Sequence, residues 1–186
     1  MAESSKQTPP IVQIVPSDPA WPQRYQDERA LIVQAVTPFV AIEHIGSTAV
    51  PGLAAKPYID IMAAVAQLSD GVAASTALAG LGYELRETGM PGRLFLRKHD
   101  RAQGLVFHLH IVEYASWPER NERLLRDYLL AHPEAAQAYG ALKQELALAH
   151  PDDGLAYTKA KTGFIQSIVD AARDERGLAR VDVWEE

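Results

Sequence analysis

The chain is 186 residues long, 47% apolar and 23% charged, and its 18 Lys and Arg against 24 Asp and Glu give a formal net charge of -6. That is one domain's length with enough apolar content to bury a core unaided, and the acidic balance argues against a general nucleic-acid coat or a polybasic membrane binder. With no cysteine, disulfides, thiolate zinc sites, iron–sulfur clusters and thiol nucleophiles are excluded, so any metal must sit on His, carboxylate or carbonyl ligands.

Residues 1–10 are Ser, Lys, Gln, Thr and Pro-rich and predict a disordered leader without the basic-then-apolar layout of a signal peptide. No apolar run approaches the roughly 18 residues of a membrane span, so a cytoplasmic protein is expected. Ile11–Val15 predicts a short edge strand. Residues 20–36, entered through Pro19-Ala-Trp-Pro22, place Tyr25, Ala30, Leu31 and Val36 near helical spacing. Phe39–Ile45 and Tyr58–Val65 are apolar runs suited to buried strands, and they enclose the segment Gly46–Pro57. A helix is predicted over 70–80, ending at Gly80 and Gly82, followed by strands over 82–87, 93–98 and 105–113. Beyond Trp117 the pattern becomes helical over 118–131, 133–149 and 155–173, broken at His132-Pro133 and at Pro151-Asp-Asp-Gly154. The tail from Gly177 reads as weakly ordered. A sheet half followed by a helical half predicts an α+β fold. The expected division is a leader at 1–10, one domain over 11–176 with a sheet lobe (11–116) and a helical lobe (117–176), and a tail at 177–186.

Four features carry candidate chemistry. A strand running into Gly46-Ser47-Thr48 leaves amides and hydroxyls for a phosphate cradle, and serves equally as a plain Ser/Thr helix cap. No Gly-x4-Gly-Lys-Ser/Thr spacing occurs, which disfavours a P-loop kinase. Asp60 interrupts an otherwise buried strand, and a buried carboxylate must be paired, hydrogen-bonded or metal-bound. In Leu105–Val112 the apolar residues alternate with His108 and His110, which share the opposite face and suit metal binding, proton transfer or phosphate contact, or a solvated pair. Lys143 and Lys161 sit on apolar helix stripes, in Tyr139-x3-Lys143-x2-Leu146 and Tyr157-x3-Lys161-x2-Phe164, where a lysine either snorkels or enters a cleft. Arg120, Arg123 and Arg126 read as a solvated helix row, and Arg93, Arg97 and Lys98 as surface cations flanking a strand.

The run His44-Ile-Gly-Ser-Thr-Ala-Val-Pro-Gly-Leu-Ala-Ala-Lys-Pro-Tyr-Ile-Asp60 closely resembles the signature of the GrpB family. Pro91–Lys98, His108-Leu-His110, Leu125–Leu129, Tyr139-x2-Leu-Lys143 and Tyr157-x3-Lys161-x2-Phe164 resemble its later blocks in the same order, covering about 11–172. The chain departs from that pattern with Leu125 where Phe is expected and Leu130 where Arg often follows. The family is similar to polymerase-β-type nucleotidyltransferases, whose hallmark is Gly-Ser followed by a strand with two carboxylates. Here Gly46-Ser47 is present, but Asp60-Ile-Met62 supplies one carboxylate, whereas two-metal transfer needs several. What the resemblance implies is a nucleotidyltransferase-like mixed sheet with a C-terminal helical cap, binding a nucleotide or other phosphorylated small molecule between them. Gly46, Ser47 and Thr48 would hold phosphate, Lys56, Lys143 and Lys161 would neutralise it, and His44, Arg97 and Arg126 would complete the anion-binding set. Asp60, His108 and His110 would bind one divalent metal (Mg or Mn, or Zn through His) or act as acid and base. Nucleotidyl transfer is the leading candidate reaction. Its competitors are a single-metal or acid–base transferase or ligase, a non-catalytic nucleotide-binding module and, last, an interaction scaffold. A monomer or small homo-oligomer is the default assembly.

Overall fold

Leu105, Phe107, Leu109 and Ile111 alternate with His108 and His110 in an extended segment, and the computed structural model, which describes residues 12–36 and 39–183, makes this the strand β5 (Leu105–Glu113). Four further strands, β1 (Ala41–Ile45), β2 (Tyr58–Val65), β3 (Glu84–Arg86) and β4 (Arg93–Asp100), complete a mixed sheet in the order β1-β2-β5-β4-β3. Only β2 and β5 run parallel; the other pairs are antiparallel. Central parallel strands are covered on both faces, which is why β2 tolerates a nearly unbroken apolar run. Ile59, Ile61, Ala63, Phe107, Leu109 and Ile111 face α1 (Trp21–Ala35) and α2 (Leu68–Gly80), forming the largest core cluster with Trp21, Tyr25, Ile32 and Leu78. On the opposite face Met62, Ala64 and Val112 pack with Trp117. Over that face lie α3 (Asn121–Ala131), α4 (Pro133–Ala149), α5 (Gly154–Ala160) and α6 (Thr162–Glu175). No helix among the described residues is long and apolar enough to cross a membrane.

Several boundaries depart from expectation. The predicted edge strand at 11–15 reduces, within the described residues, to one antiparallel bridge between Val15 and Ala55, and the leader at 1–10 lies outside them. The helix expected at 118–131 divides into a 3-10 turn, Tyr114–Glu119, and α3. Pro118 lacks the N–H that a continuous helix would need. The helix expected at 155–173 likewise divides at Lys161 into α5 and α6, where Thr162 and Gly163 are weak helix formers. From 177 to 183 the tail is not loose. Gln166 donates to the Val181 carbonyl (2.9 Å) and accepts from the Val183 amide (3.0 Å), and Arg173 donates to the Ala179 carbonyl.

Gly71 in α2 is forced by packing. A Cβ there would lie 2.8 Å from Ile111 Cγ2 and 3.0 Å from Leu94 Cδ1. Helix propensity alone favours Ala by about 1 kcal/mol, but overpacking against stiff Ile111 costs about 1–3 kcal/mol. Gly71→Ala is therefore expected to lower the unfolding midpoint in a denaturant titration; a raised midpoint would show that α2 yields freely.

Candidate functional site

The sheet register assembles the site. Asp60 on β2 is paired with Ile45 on one side and with His108 on the other, and Arg97 of β4 continues the row. Laterally paired residues project to the same face, so Asp60 and His108 meet below the helices. His108 Nδ1 lies 2.9 Å from Asp60 Oδ1. The carboxyl of Asp60 is pushed up by burial, but the hydrogen bond from His108 and the adjacent imidazoles outweigh this and hold it below its ordinary value. An ionised carboxylate can only accept, so His108 donates through Nδ1, and Nε2 is the ring nitrogen left for another partner.

Immediately after β1 the chain turns at Gly46 with φ 71° and ψ -171° and enters a 3-10 turn, Ser47–Ala49. A Cβ on Gly46 would stand 2.3 Å from Asp60 Oδ2. The turn therefore presses backbone against the carboxylate and sets Ser47 beside it.

From the helices, Lys143 of α4 donates to Ser47 Oγ at 2.9 Å. It lies over the ring of Tyr139 (4.7 Å), as Lys161, at the α5–α6 junction, lies over Tyr157 (4.4 Å). Lys56, from the loop before β2, lies 4.6 Å from the Tyr157 ring centre. Ser47, Lys56, Lys143, Tyr157 and Lys161, together with Tyr58, Asp60 and His108, line a cleft of about 220 Å³. Burial, with the neighbouring ammonium of Lys161, lowers Lys143 to about 7; burial and Lys56 lower Lys161 to about 8; burial lowers Lys56 as well. Asp60 opposes all three shifts without cancelling them. Three lysines thus face one carboxylate, which is already hydrogen-bonded to His108.

Six of the expected residues, Ser47, Lys56, Asp60, His108, Lys143 and Lys161, line this cleft, and Gly46 backs it. The others do not join them. His44 projects to the opposite face of the sheet, stacked on Tyr25 (4.8 Å) with Nε2 3.0 Å from Thr48 Oγ1, and burial lowers it to about 4. Thr48 is buried and donates its hydroxyl to the Tyr58 carbonyl (2.9 Å), so it pins the loop instead of facing a ligand. Arg126 clamps β1, donating to the His44 carbonyl (2.8 Å) and pairing with Glu43 (2.7 Å) and Asp127 (2.7 Å). Its row on α3 is therefore not merely solvated. Arg97 stands beside His108 in the sheet but is not part of the cleft lining. His110 lies one row further on, 3.4 Å from Arg93, which pairs with Glu122; burial lowers His110 to about 4.

Among the described residues no three His, Asp or Glu side chains converge as a metal-holding group. Glu43, in the row of Met62, is held by Arg123 and Arg126 and is no spare carboxylate. The residues present do not fit a two-metal centre, nor a site built on Asp60, His108 and His110.

Sequence reading missed the roles of Tyr58, Tyr139 and Tyr157, which it took for strand and core residues. The repeated Tyr-x3-Lys spacing was the available signal, since residues four apart share a helix face and let an ammonium lie over a ring.

A mixed sheet capped by helices, with a Gly-Ser turn abutting a strand aspartate, defines a nucleotidyltransferase-like fold. Terminal uridylyl transferase 4 from Trypanosoma brucei with bound dUTP superposes on 87% of this chain and 56% of its own, with a TM-score of 0.52 at 18% identity. The chain belongs to the GrpB family: the family model for GrpB protein matches residues 11–171. The crystal structure of the conserved protein GrpB from Enterococcus faecalis matches with a TM-score of 0.80 at 32% identity, over 89% of this chain and 99% of that one. A UPF0157 protein of Pseudomonas aeruginosa is 38% identical over 165 residues, covering 87% of this chain and 67% of the relative. The Bacillus subtilis UPF0157 protein YqkA is 31% identical over 164 residues, and the match spans 47% of its length.

Proposed function

We propose that the cleft binds a nucleotide or another phosphorylated small molecule, with a phosphate lying among Ser47, Lys56, Lys143 and Lys161. The observation that carries this reading is the excess of ammonium groups over carboxylate in one partly dehydrated cleft. Protonated lysines crowded in this way are costly alone, and a bound anion removes the cost. The bound nucleotides of structural neighbours, dUTP in the trypanosomal uridylyl transferase and MgGTP in the Cid1 poly(U) polymerase, support the choice of ligand class.

A second reading, acid–base group transfer on such a ligand, is favoured by the Asp60–His108 hydrogen bond of 2.9 Å. A carboxylate that fixes one ring nitrogen leaves the other to take a proton from an attacking hydroxyl or water. Lysines then supply the charge stabilisation that metal ions supply elsewhere.

Thermal unfolding against a panel of nucleotides and simple phosphates tests the binding. A ligand at 100 times its Kd adds about 2.7 kcal/mol, a shift of roughly 5–10 °C for a chain of this size. The shift is expected to persist in EDTA, because lysines and no ion neutralise the phosphate, and to vanish in Lys161→Met. No shift with any phosphate, or one that survives Lys161→Met unchanged, would remove the reading.

A further inference from the structure

The cleft holds a pair that phosphate binding alone does not require. Lys143 is 2% exposed, and among the described residues its ammonium pairs with no carboxylate; its hydrogen bond goes to the hydroxyl of Ser47 at 2.9 Å. Ser47 follows a strand and a glycine turn that aims it into the cleft. A serine hydroxyl is a weak nucleophile until a base within hydrogen-bond reach takes its proton, and a buried lysine is one such base. We propose that Ser47 is a nucleophile activated by Lys143, forming a transient phosphoserine from a phosphoanhydride bound in the cleft. The proposal rests on the phosphate-binding reading for its substrate class.

The step balances without a metal. Neutral Lys143 accepts the Ser47 proton as Oγ bonds to phosphorus. The P–O bond to the leaving phosphate breaks, and that oxygen departs with the electron pair as an oxyanion. Lys56 and Lys161 face the oxygens on which charge develops. Water, or an acceptor hydroxyl, then attacks the phosphoserine. His108 Nε2 takes its proton, the P–Oγ bond breaks, and Lys143 returns its proton to Ser47. His108 finally releases one proton to solvent. Burial lowers Lys143 to about 7 in the free cleft; a bound phosphoanhydride raises it again, so the first half-step draws on the neutral fraction, which grows with pH.

A fluorophosphonate probe tests the nucleophile without knowledge of the substrate, since it forms an ester with an activated serine and releases fluoride. Intact-mass and peptide analysis of the full chain is expected to place one adduct on Ser47, formed about 10²–10⁴-fold faster than on unfolded protein. The adduct is expected to be absent in Ser47→Ala and slowed at least tenfold in Lys143→Met. The labelling rate of the unaltered chain gives a second readout that does not depend on the variant folding. It is expected to climb about tenfold between pH 6 and pH 8 and level off above. The charged and titratable groups facing Lys143 are Tyr139 on its own helix, Asp60 on β2 and Lys161 at the α5–α6 junction. Of these, Asp60 and Tyr139 do not titrate in that interval. No adduct, or an adduct on a tyrosine or lysine instead, overturns the proposal. Failure to label with the phosphate-induced thermal shift intact removes the nucleophile and leaves the binding reading. Labelling of Ser47 in a protein that no phosphate stabilises supports the nucleophile and removes the phosphoanhydride.

Discussion

Gly46→Ala is expected to cost about 2–4 kcal/mol of stability and to abolish phosphate binding. At φ 71° and ψ -171° the backbone occupies a region that only glycine enters readily, and a side chain there costs of order 1–3 kcal/mol. The new Cβ would also fall 2.3 Å from Asp60 Oδ2, well inside contact distance. Asp60 has nowhere to retreat: it is held between β1 and β5 and bonded to His108. Relief must come from moving the Ser47 turn, which carries the lysine contact with it. Gly52→Ala is the matching control, since Gly52 also has positive φ (78°) but a Cβ there meets nothing within 4 Å. Denaturant midpoints for the two variants separate backbone strain from collision. Equal midpoints would mean that the Gly46–Asp60 contact imposes no strain, and a retained ligand shift in Gly46→Ala would show that the turn does not build the cleft.

The same contact explains what was legible beforehand. Period-two alternation announced β5, and an apolar run interrupted by one aspartate announced β2, because a parallel strand covered on both faces has little choice of residue. Asp60 and the two stripe lysines stood out as polar groups in apolar settings, His108 by its period-two spacing from His110, and Ser47 by the Gly-Ser-Thr turn at a strand end. The errors share a different cause. His44 lies only two residues before Gly46, yet strand alternation turns it to the far face, and sequence does not say which face a ligand occupies. Thr48 and Arg126 have the residue types of anion binders, but the nearest acceptors, the Tyr58 and His44 carbonyls, consume them. The helix breaks had local signals that were passed over, Pro118 with no N–H to give and the weak helix formers Thr162 and Gly163, and the second break lets Lys161 enter the cleft instead of continuing along a helix surface.

Phosphate binding at pH 8 is expected to draw roughly one proton from solution. With Lys143 near 7 and Lys161 near 8, the free cleft at that pH holds Lys143 mostly neutral and Lys161 half protonated. A bound anion raises both, so protons are taken up with the ligand, and affinity falls as pH rises above 8. The free protein has the opposite slope. An unfolded lysine keeps its proton up to about 10.4, while the native pair releases its protons near 7 and 8. Between those values the unfolded state binds more protons, and stability increases with pH. Calorimetric titration in buffers of different ionisation enthalpy reads the uptake directly, and unfolding midpoints between pH 7 and pH 10 read the slope. Lys143→Met is expected to flatten the slope and to reduce the uptake together, since both arise from the same buried ammonium. An enthalpy of binding independent of buffer would mean that the lysines are already charged in the free cleft. The excess of positive charge would then be tolerated without a ligand, and the physical case for an anion in the cleft would fall with it.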